Sequence, residues 1–148
     1  MKYERKIKLF LVDDDAVLMK LMEVEFTNHG GYSVETFPTG ELCIQNLSRN
    51  PDFIILDYHL DGIQENAMNG LQTLDKIKSF SPQLPVIMLS SQDEIDVAIN
   101  CMHHKASDYV VKSETAFHRL QRLIPTILKY QKMSMQINWY RDRMDENL

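Results

Sequence analysis

The chain has 148 residues, of which 44% are hydrophobic and 25% are charged, with five glycines and five prolines. This composition is typical of one globular domain of ordinary size, and it excludes collagen-like and largely disordered chains. The formal net charge of −5 argues against binding of nucleic acid through a broad basic surface, so we expect no direct nucleic-acid contact.

The cysteines and the apolar runs bear on the compartment of the protein. Cys43 and Cys101 lie far apart with no Cys-x-x-Cys pair, which indicates neither a disulfide framework nor a zinc site. The apolar runs are short, and none near the start is typical of a signal peptide or a membrane anchor. We therefore expect reduced, inert thiols, a cytoplasmic location and no membrane partner.

Strand and helix patterns alternate from the first residues onward. Ile7 to Val12 is an apolar run that predicts a strand, and a helical spacing of apolar residues follows it. Tyr32 to Phe37 predicts a second strand, and Pro38-Thr39-Gly40 leads into a helix that we expect to run to about Leu47.

The second half of the chain repeats this alternation three more times. Its predicted elements are, in order, strand 53–56, a helix with Leu71, Leu74 and Ile77, strand 85–89, a helix over 95–102, strand 109–111 and a helix from Thr115. Strands that are apolar throughout and are each followed by a helix indicate a parallel sheet covered on both faces. The predicted fold is a doubly wound α/β domain of five strands and five helices.

The residues that end these strands are the candidates for function, because ligands bind beyond the carboxyl ends of parallel strands. Asp13 and Asp14 follow the first strand, Asp57 the third, Ser90 the fourth and Lys112 the fifth. In the flavodoxin-like strand order 2-1-3-4-5 the first and third strands are neighbours, so the three aspartates should converge. Three carboxylates with no thiolate among them favour Mg²⁺, beside which a hydroxyl and an ammonium would suit a phosphoryl group.

Four motifs at these strand ends resemble the receiver domain of two-component response regulators, over roughly residues 7–130. They are Val12-Asp13-Asp14, Ile55-Leu56-Asp57, Leu84-Pro85-Val86-Ile87-Met88-Leu89-Ser90 and Asp108-Tyr109-Val110-Val111-Lys112. The resemblance implies that Asp57 accepts a phosphoryl group from a histidine kinase or a phosphorelay protein. It also implies that Asp14 and Asp57 bind Mg²⁺ directly, that Asp13 acts mainly through water, and that the backbone carbonyl of His59 completes the ligands.

The resemblance further implies a switch. Lys112 would pair with the phosphoryl group, Ser90 would move to hydrogen-bond it, and Tyr109 would turn inward into the space that Ser90 leaves, although Tyr109 also fits plain core packing. The fourth helix, the fifth strand and the fifth helix would form the output surface, which would bind a downstream protein, an output domain or a second copy. The chain would be a phospho-acceptor with at most slow self-catalysed phosphotransfer and dephosphorylation.

The loop after Asp57 departs from the family pattern. Gly70 comes 13 positions after Asp57, which is several positions later than is usual for the family. The longer loop carries Asp61, Glu65 and Asn66. Long loops are often functional, so we expect it to screen the pocket or to slow phosphoryl transfer.

Three other positions differ from the family. Ser113 stands where a proline with a cis peptide bond is usual, and a cis Lys112–Ser113 bond would cost about 2.5–4 kcal/mol over trans. Either the fold holds that bond, or the lysine approaches the site differently. Ser90 replaces a threonine with little expected loss, and Lys105 replaces a glycine before Ala106, which we expect to reshape the turn.

The last helical pattern is unusually long. It starts at Thr115 and continues as far as Met144, with Pro125 inside it, where we expect a kink. We assign residues 1–130 to the receiver-like domain and 131–148 to a helical extension or linker. The extension would join an output domain or form a dimer, although we expect Ser134 and Arg141 to interrupt a regular heptad pattern.

Two other functions compete with a phosphorylated receiver. The longer loop and Ser113 are compatible with an interaction module that keeps the fold and no longer depends on phosphorylation. A phosphatase or phosphotransferase with an aspartate nucleophile is a weaker hypothesis, since such enzymes usually have a second acid two residues later, where this chain has His59.

Overall fold

The computed structural model describes residues 5–60, 62 and 66–146. Strands and helices alternate through them as the sequence predicts. The elements are β1 (Ile7–Val12), α1 (Ala16–His29), β2 (Tyr32–Phe37), α2 (Gly40–Gln45), a 3-10 turn (Leu47–Arg49), β3 (Phe53–Asp57), α3 (Gly70–Phe80), β4 (Val86–Ser90), α4 (Ile95–His103), β5 (Asp108–Val111) and α5 (Ala116–Glu146).

The second helix is shorter than predicted. It ends at Gln45, because the backbone N–H of Asn46 bonds back to Cys43 over three residues and starts a tighter 3-10 turn. That turn ends at Asn50, whose φ of 57° lies in the left-handed region.

The five strands form one parallel sheet in the order β2-β1-β3-β4-β5. Successive side chains of β1 face opposite sides of this sheet: Leu9 and Leu11 pack under α1 and α5, while Phe10 and Val12 join the core on the other face. All four are at most 1% exposed. The predicted flavodoxin-like, doubly wound fold is therefore confirmed.

Side-chain caps fix where two helices begin at the carboxyl edge of the sheet. Asp15 Oδ1 accepts hydrogen bonds from the backbone N–H groups of Val17 and Leu18, which starts α1. Asn69 and Gln72 form a reciprocal capping box at the start of α3. Asp15 is thus a helix cap, and only Asp13 and Asp14 of this acidic run remain candidate ligands at the edge of the sheet.

Both cysteines are buried, as expected. Burial raises the pKa of Cys43 to about 12 and that of Cys101 to about 11, so both thiols stay protonated and unreactive near neutral pH. Among the helices that the structure describes, none is both long enough and apolar enough to cross a membrane.

The turn between α4 and β5 holds Lys105 in a left-handed conformation, and the expectation that this residue reshapes the turn stays a prediction. Lys105 has φ 72°. Its N–H donates to Met102 O and that of Ala106 donates to Cys101 O, the paired bonds of a Schellman cap. Because those bonds and the buried Ala106 define the turn, the lysine takes the conformation that glycine would adopt without strain.

Replacing Lys105 with glycine should stabilise the protein. The left-handed conformation costs a side-chain-bearing residue about 1–2 kcal/mol, and part of this gain is offset by the greater backbone entropy of glycine in the unfolded chain. We expect Lys105→Gly to raise the free energy of unfolding by about 0.5–1 kcal/mol in urea titrations. Lys105→Ala, which keeps the strain, is the control, and an equal gain in both variants would contradict this account.

Helix α5 is continuous over 31 residues and passes through Pro125 without a break. No break marks the boundary that we assign after residue 130, so both that boundary and the kink stay predictions. Ile127 and Leu128 still pack against the core, whereas residues 132–146 are exposed. The last fifteen described residues of the helix therefore extend away from the domain.

Candidate functional site

The structure brings the three predicted aspartates together at the carboxyl edge of the sheet. Asp13 and Asp14 follow β1, Asp57 ends β3, and these strands are neighbours with Val12 opposite Leu56. One carboxylate oxygen from each aspartate lies within 4.8 Å of the others. Among the described residues this is the one group of three or more acidic, histidine or cysteine side chains that could hold a metal ion.

Lys112 extends from the end of β5 into this acidic group. Its Nζ lies 2.9 Å from Asp13 Oδ2 and 3.3 Å from Asp57 Oδ1. Both carboxyl side chains are almost fully buried, at 1% and 2% exposure. One ammonium faces three carboxylates, which leaves an excess of two negative charges at the edge of an apolar sheet.

The pKa values reflect this crowding. Burial and the neighbouring Asp13 raise the pKa of Asp57 to about 7, against the opposing effects of Lys112 and of the His59 N–H. Burial and Asp13 also raise the pKa of Asp14. Burial works to lower the pKa of Lys112, but hydrogen bonding and attraction from Asp13 and Asp57 outweigh it and raise that pKa. The negative charges of ionised Asp14 and Asp57 are thus only partly balanced by the positive charge of Lys112.

The donor set fits a hard divalent cation. Asp13 Oδ2 is buried and has no hydrogen-bond partner apart from its ion pair with Lys112. The converging side-chain groups are carboxylate oxygens, which Mg²⁺ prefers, and two positive charges would balance the excess of two negative charges. A cation would also favour ionised Asp57, since an opposite charge nearby lowers a carboxyl pKa.

Ser90 and Tyr109 lie beside the site and are linked through the loop after β4. Ser90 Oγ accepts a hydrogen bond from the backbone N–H of Gln92 at 3.1 Å, and the Tyr109 hydroxyl donates to the backbone carbonyl of Gln92. Burial raises the pKa of Tyr109, and a hydrogen bond with Ser90 opposes that rise. Sequence analysis missed Gln92, because it contributes only backbone atoms.

The loop after Asp57 approaches the site at the residues that the structure describes. The N–H of exposed His59 donates to Asp57 Oδ1 at 3.2 Å, so His59 lies at the rim of the site, while the ligand role of its carbonyl stays a prediction. A Cβ on Gly62 would lie 3.0 Å from Asp14 Oδ2. Asp61 and Glu65 of this loop lie outside the described residues, so the expectation that the loop screens the pocket or slows phosphoryl transfer stays a prediction.

The far end of this loop is held by two contacts that sequence analysis did not predict. The N–H of Gly70 donates to Tyr58 O at 3.0 Å, and the N–H of Met68 donates to Glu41 Oε1 at 2.6 Å. The first contact closes the loop on the residue after Asp57, and the second ties it to α2. The spacing of Gly70 drew attention to the loop, but nothing local in the sequence indicated its partners.

The peptide bond between Lys112 and Ser113 is trans. No cis peptide bond occurs among the residues that the structure describes. Lys112 nevertheless reaches Asp13 and Asp57 through its long side chain.

Residues 9–124 match the family model of the response regulator receiver domain. This chain belongs to that family. The match includes every predicted site residue, and it agrees with the resemblance that the four strand-end motifs carry.

Relatives of this receiver domain include longer bacterial regulatory proteins. The DNA-binding transcriptional regulator NtrC of Klebsiella pneumoniae is 32% identical over 104 residues, which cover 70% of this chain and 21% of NtrC. A protein-glutamate methylesterase/protein-glutamine glutaminase of Bacillus licheniformis is 37% identical over 107 residues, which cover 69% of this chain and 28% of the relative. The receiver domain thus spans less than a third of these relatives.

Solved structures with the same fold include both a chain of similar length and a much longer one. NtrX from Brucella abortus superposes with a TM-score of 0.81 and 26% identity, covering 92% of this chain and 30% of NtrX. The receiver domain of a putative Luxo repressor protein from Vibrio parahaemolyticus has a TM-score of 0.75 and 26% identity, covering 89% of this chain and 97% of that one. The fold and the family therefore agree.

Proposed function

We propose that this receiver domain accepts a phosphoryl group on Asp57. The observation that carries the proposal is the convergence of Asp13, Asp14 and Asp57 with Lys112 at one edge of the sheet. In the transfer, a carboxylate oxygen of Asp57 attacks the donor phosphorus, and the bond from phosphorus to the donor breaks. The leaving group keeps that electron pair and takes up a proton, so that an aspartyl phosphate remains.

We assign Mg²⁺ to this acidic group, with Asp14, Asp57 and the backbone carbonyl of His59 as direct ligands and Asp13 acting mainly through water. The cation would supply positive charge to the phosphoryl oxygens. Lys112 can turn from Asp13 toward a phosphoryl oxygen, because its ammonium already lies between Asp13 and Asp57. In that position the Lys112 ammonium would offset part of the negative charge that the phosphoryl group adds to the site.

The phosphoryl donor that we propose is a histidine kinase or a phosphotransfer protein. Val17 and Leu21 of α1 are 71% and 61% exposed, and α1 starts directly after the aspartates. These side chains form an apolar face on the helix that begins two residues after Asp14, which suits a protein donor that must bring a phosphohistidine to Asp57. The imidazole of that histidine would leave when its phosphorus–nitrogen bond breaks.

The signal would leave through Ser90, Tyr109 and the surface of α4, β5 and α5. If Ser90 Oγ moves toward a phosphoryl oxygen, it draws away from the N–H of Gln92, and the carbonyl of this same Gln92 holds Tyr109. This rearrangement would shift the loop that precedes α4, where Ile95, Ile99 and Met102 are exposed. A downstream protein or an output domain would bind this apolar surface, and we place the whole process in the cytoplasm.

The direct test is phosphorylation by a small donor. We expect the protein to gain the mass of one phosphoryl group when it is incubated with acetyl phosphate and Mg²⁺, and to gain none when EDTA removes the cation. Intact-protein mass spectrometry measures both results. A chain that stays unmodified at saturating donor and Mg²⁺ would contradict the proposal and favour the phosphorylation-independent interaction module.

A further inference from the structure

The end of α5 carries apolar side chains that the domain does not cover. Gln131, whose Nε2 donates to the backbone carbonyl of Gln83, is the last described residue of α5 that is partly buried. The fifteen exposed residues 132–146 extend for about 22 Å at 1.5 Å per residue. An isolated helix of this length is only marginally stable in water, so packing against a partner would stabilise it.

Five large exposed side chains form one stripe along residues 130–144 of the helix, which we call the C-terminal stripe. Its members and their exposed fractions are Tyr130 68%, Met133 45%, Ile137 55%, Tyr140 63% and Met144 72%. Their spacing of three, four, three and four residues is the heptad spacing of a coiled-coil seam. Ser134 and Arg141 lie beside this stripe, so they do not interrupt it.

The width of the stripe indicates another helix as its partner. A helix that packs on the core of a domain usually presents a wider apolar face of three or four positions in every seven, whereas a coiled-coil seam uses two. The C-terminal stripe uses two positions in seven. Met135 and Trp139 lie off it, and Trp139 is already covered in part by the guanidinium of Arg143 at 4.4 Å.

We propose that the C-terminal stripe packs against the same stripe of a second copy of this chain, with the two helices antiparallel. The charges along the helix favour this direction. Lys129 and Lys132 are the charged residues of segment 129–136, while segment 141–146 has three acidic and two basic residues. An antiparallel pair places each basic segment near the acidic end of its partner, and it also opposes the two helix dipoles.

The size of this contact predicts a moderate affinity. Five side chains from each copy would bury on the order of 1,000 Å² in total, which is near the lower limit for a specific interface. The pairing needs no phosphoryl group and does not depend on the function proposed above. It is therefore measured on the unphosphorylated full chain without donor or Mg²⁺.

Sedimentation equilibrium from about 10 to about 500 μM tests the proposal. We expect the wild-type chain to form dimers in this range, and Ile137→Lys to raise the dissociation constant at least about tenfold by placing a charge in the stripe. Met135→Lys is the matched control, since Met135 is 54% and Ile137 55% exposed on the same helix. It should dissociate as the wild type does.

Three results would overturn the proposal. The first is a wild-type chain that stays monomeric throughout the range, which would leave the stripe to another partner. The second is an equal weakening by both lysine variants, with matching circular dichroism spectra that show both are folded. The third concerns direction: Lys132→Glu should weaken an antiparallel pair by bringing acids together, and unchanged affinity would contradict that arrangement.

Discussion

Asp57→Asn should abolish phosphorylation of this receiver domain. The amide that replaces the carboxylate is not a nucleophile toward phosphorus at neutral pH, and it brings no negative charge to hold a cation beside Asp13 and Asp14. We expect the phosphorylated fraction, measured by intact-protein mass spectrometry with acetyl phosphate and Mg²⁺, to fall at least about 100-fold below that of the wild type.

Asp15→Asn is the matched control for this variant. It changes the aspartate that follows β1 and caps α1, which stands outside the metal-binding group, and asparagine is an equally good cap. It should be phosphorylated as the wild type is. Thermal unfolding checks that Asp57→Asn is folded, and we expect no loss, because the variant removes a buried carboxyl whose pKa burial and Asp13 raise. A phosphorylated Asp57→Asn chain would place the acceptor elsewhere.

Gly70→Ala should destabilise the domain and disturb the site. A Cβ at this position would lie 2.4 Å from the backbone oxygen of Asp57 and 2.7 Å from Tyr58 Cα. These are backbone atoms, so no side-chain rotation can relieve the overlap, and either α3 or the end of β3 must move. We expect the free energy of unfolding to fall by about 1–3 kcal/mol in urea titrations, and phosphorylation to slow as Asp57 is displaced.

Ser79→Ala is the control on the same helix. Ser79 is exposed, and its hydroxyl bonds only to Asp75 O within α3, so its replacement should change stability by no more than about 0.5 kcal/mol. If Gly70→Ala were as stable as the wild type, the close approach of α3 to β3 would not constrain the site. If Gly70→Ala lowered stability but left phosphorylation unchanged, Gly70 would support the fold without controlling the position of Asp57.

Individual residues show which parts of the site the sequence could reveal. Asp13, Asp57 and Lys112 each follow an apolar strand, so a local pattern identifies them and the shared edge of a parallel sheet predicts that they meet. Asp15 has the same pattern, but the structure uses it as a helix cap. Gln92 has no such signal, because its contacts with Ser90 and Tyr109 use backbone atoms.

The sequence by itself determined the order of strands and helices and the residues at the strand ends, because apolar periodicity and chain-breaking turns are local properties. Only the tertiary structure decided that Lys112 lies nearer to Asp13 than to Asp57, that Gly70 closes the loop on Tyr58, and that the C-terminal stripe is left uncovered. These facts depend on distances between segments far apart along the chain. Such distances follow from the packing of whole elements on the sheet, and no short stretch of sequence specifies them.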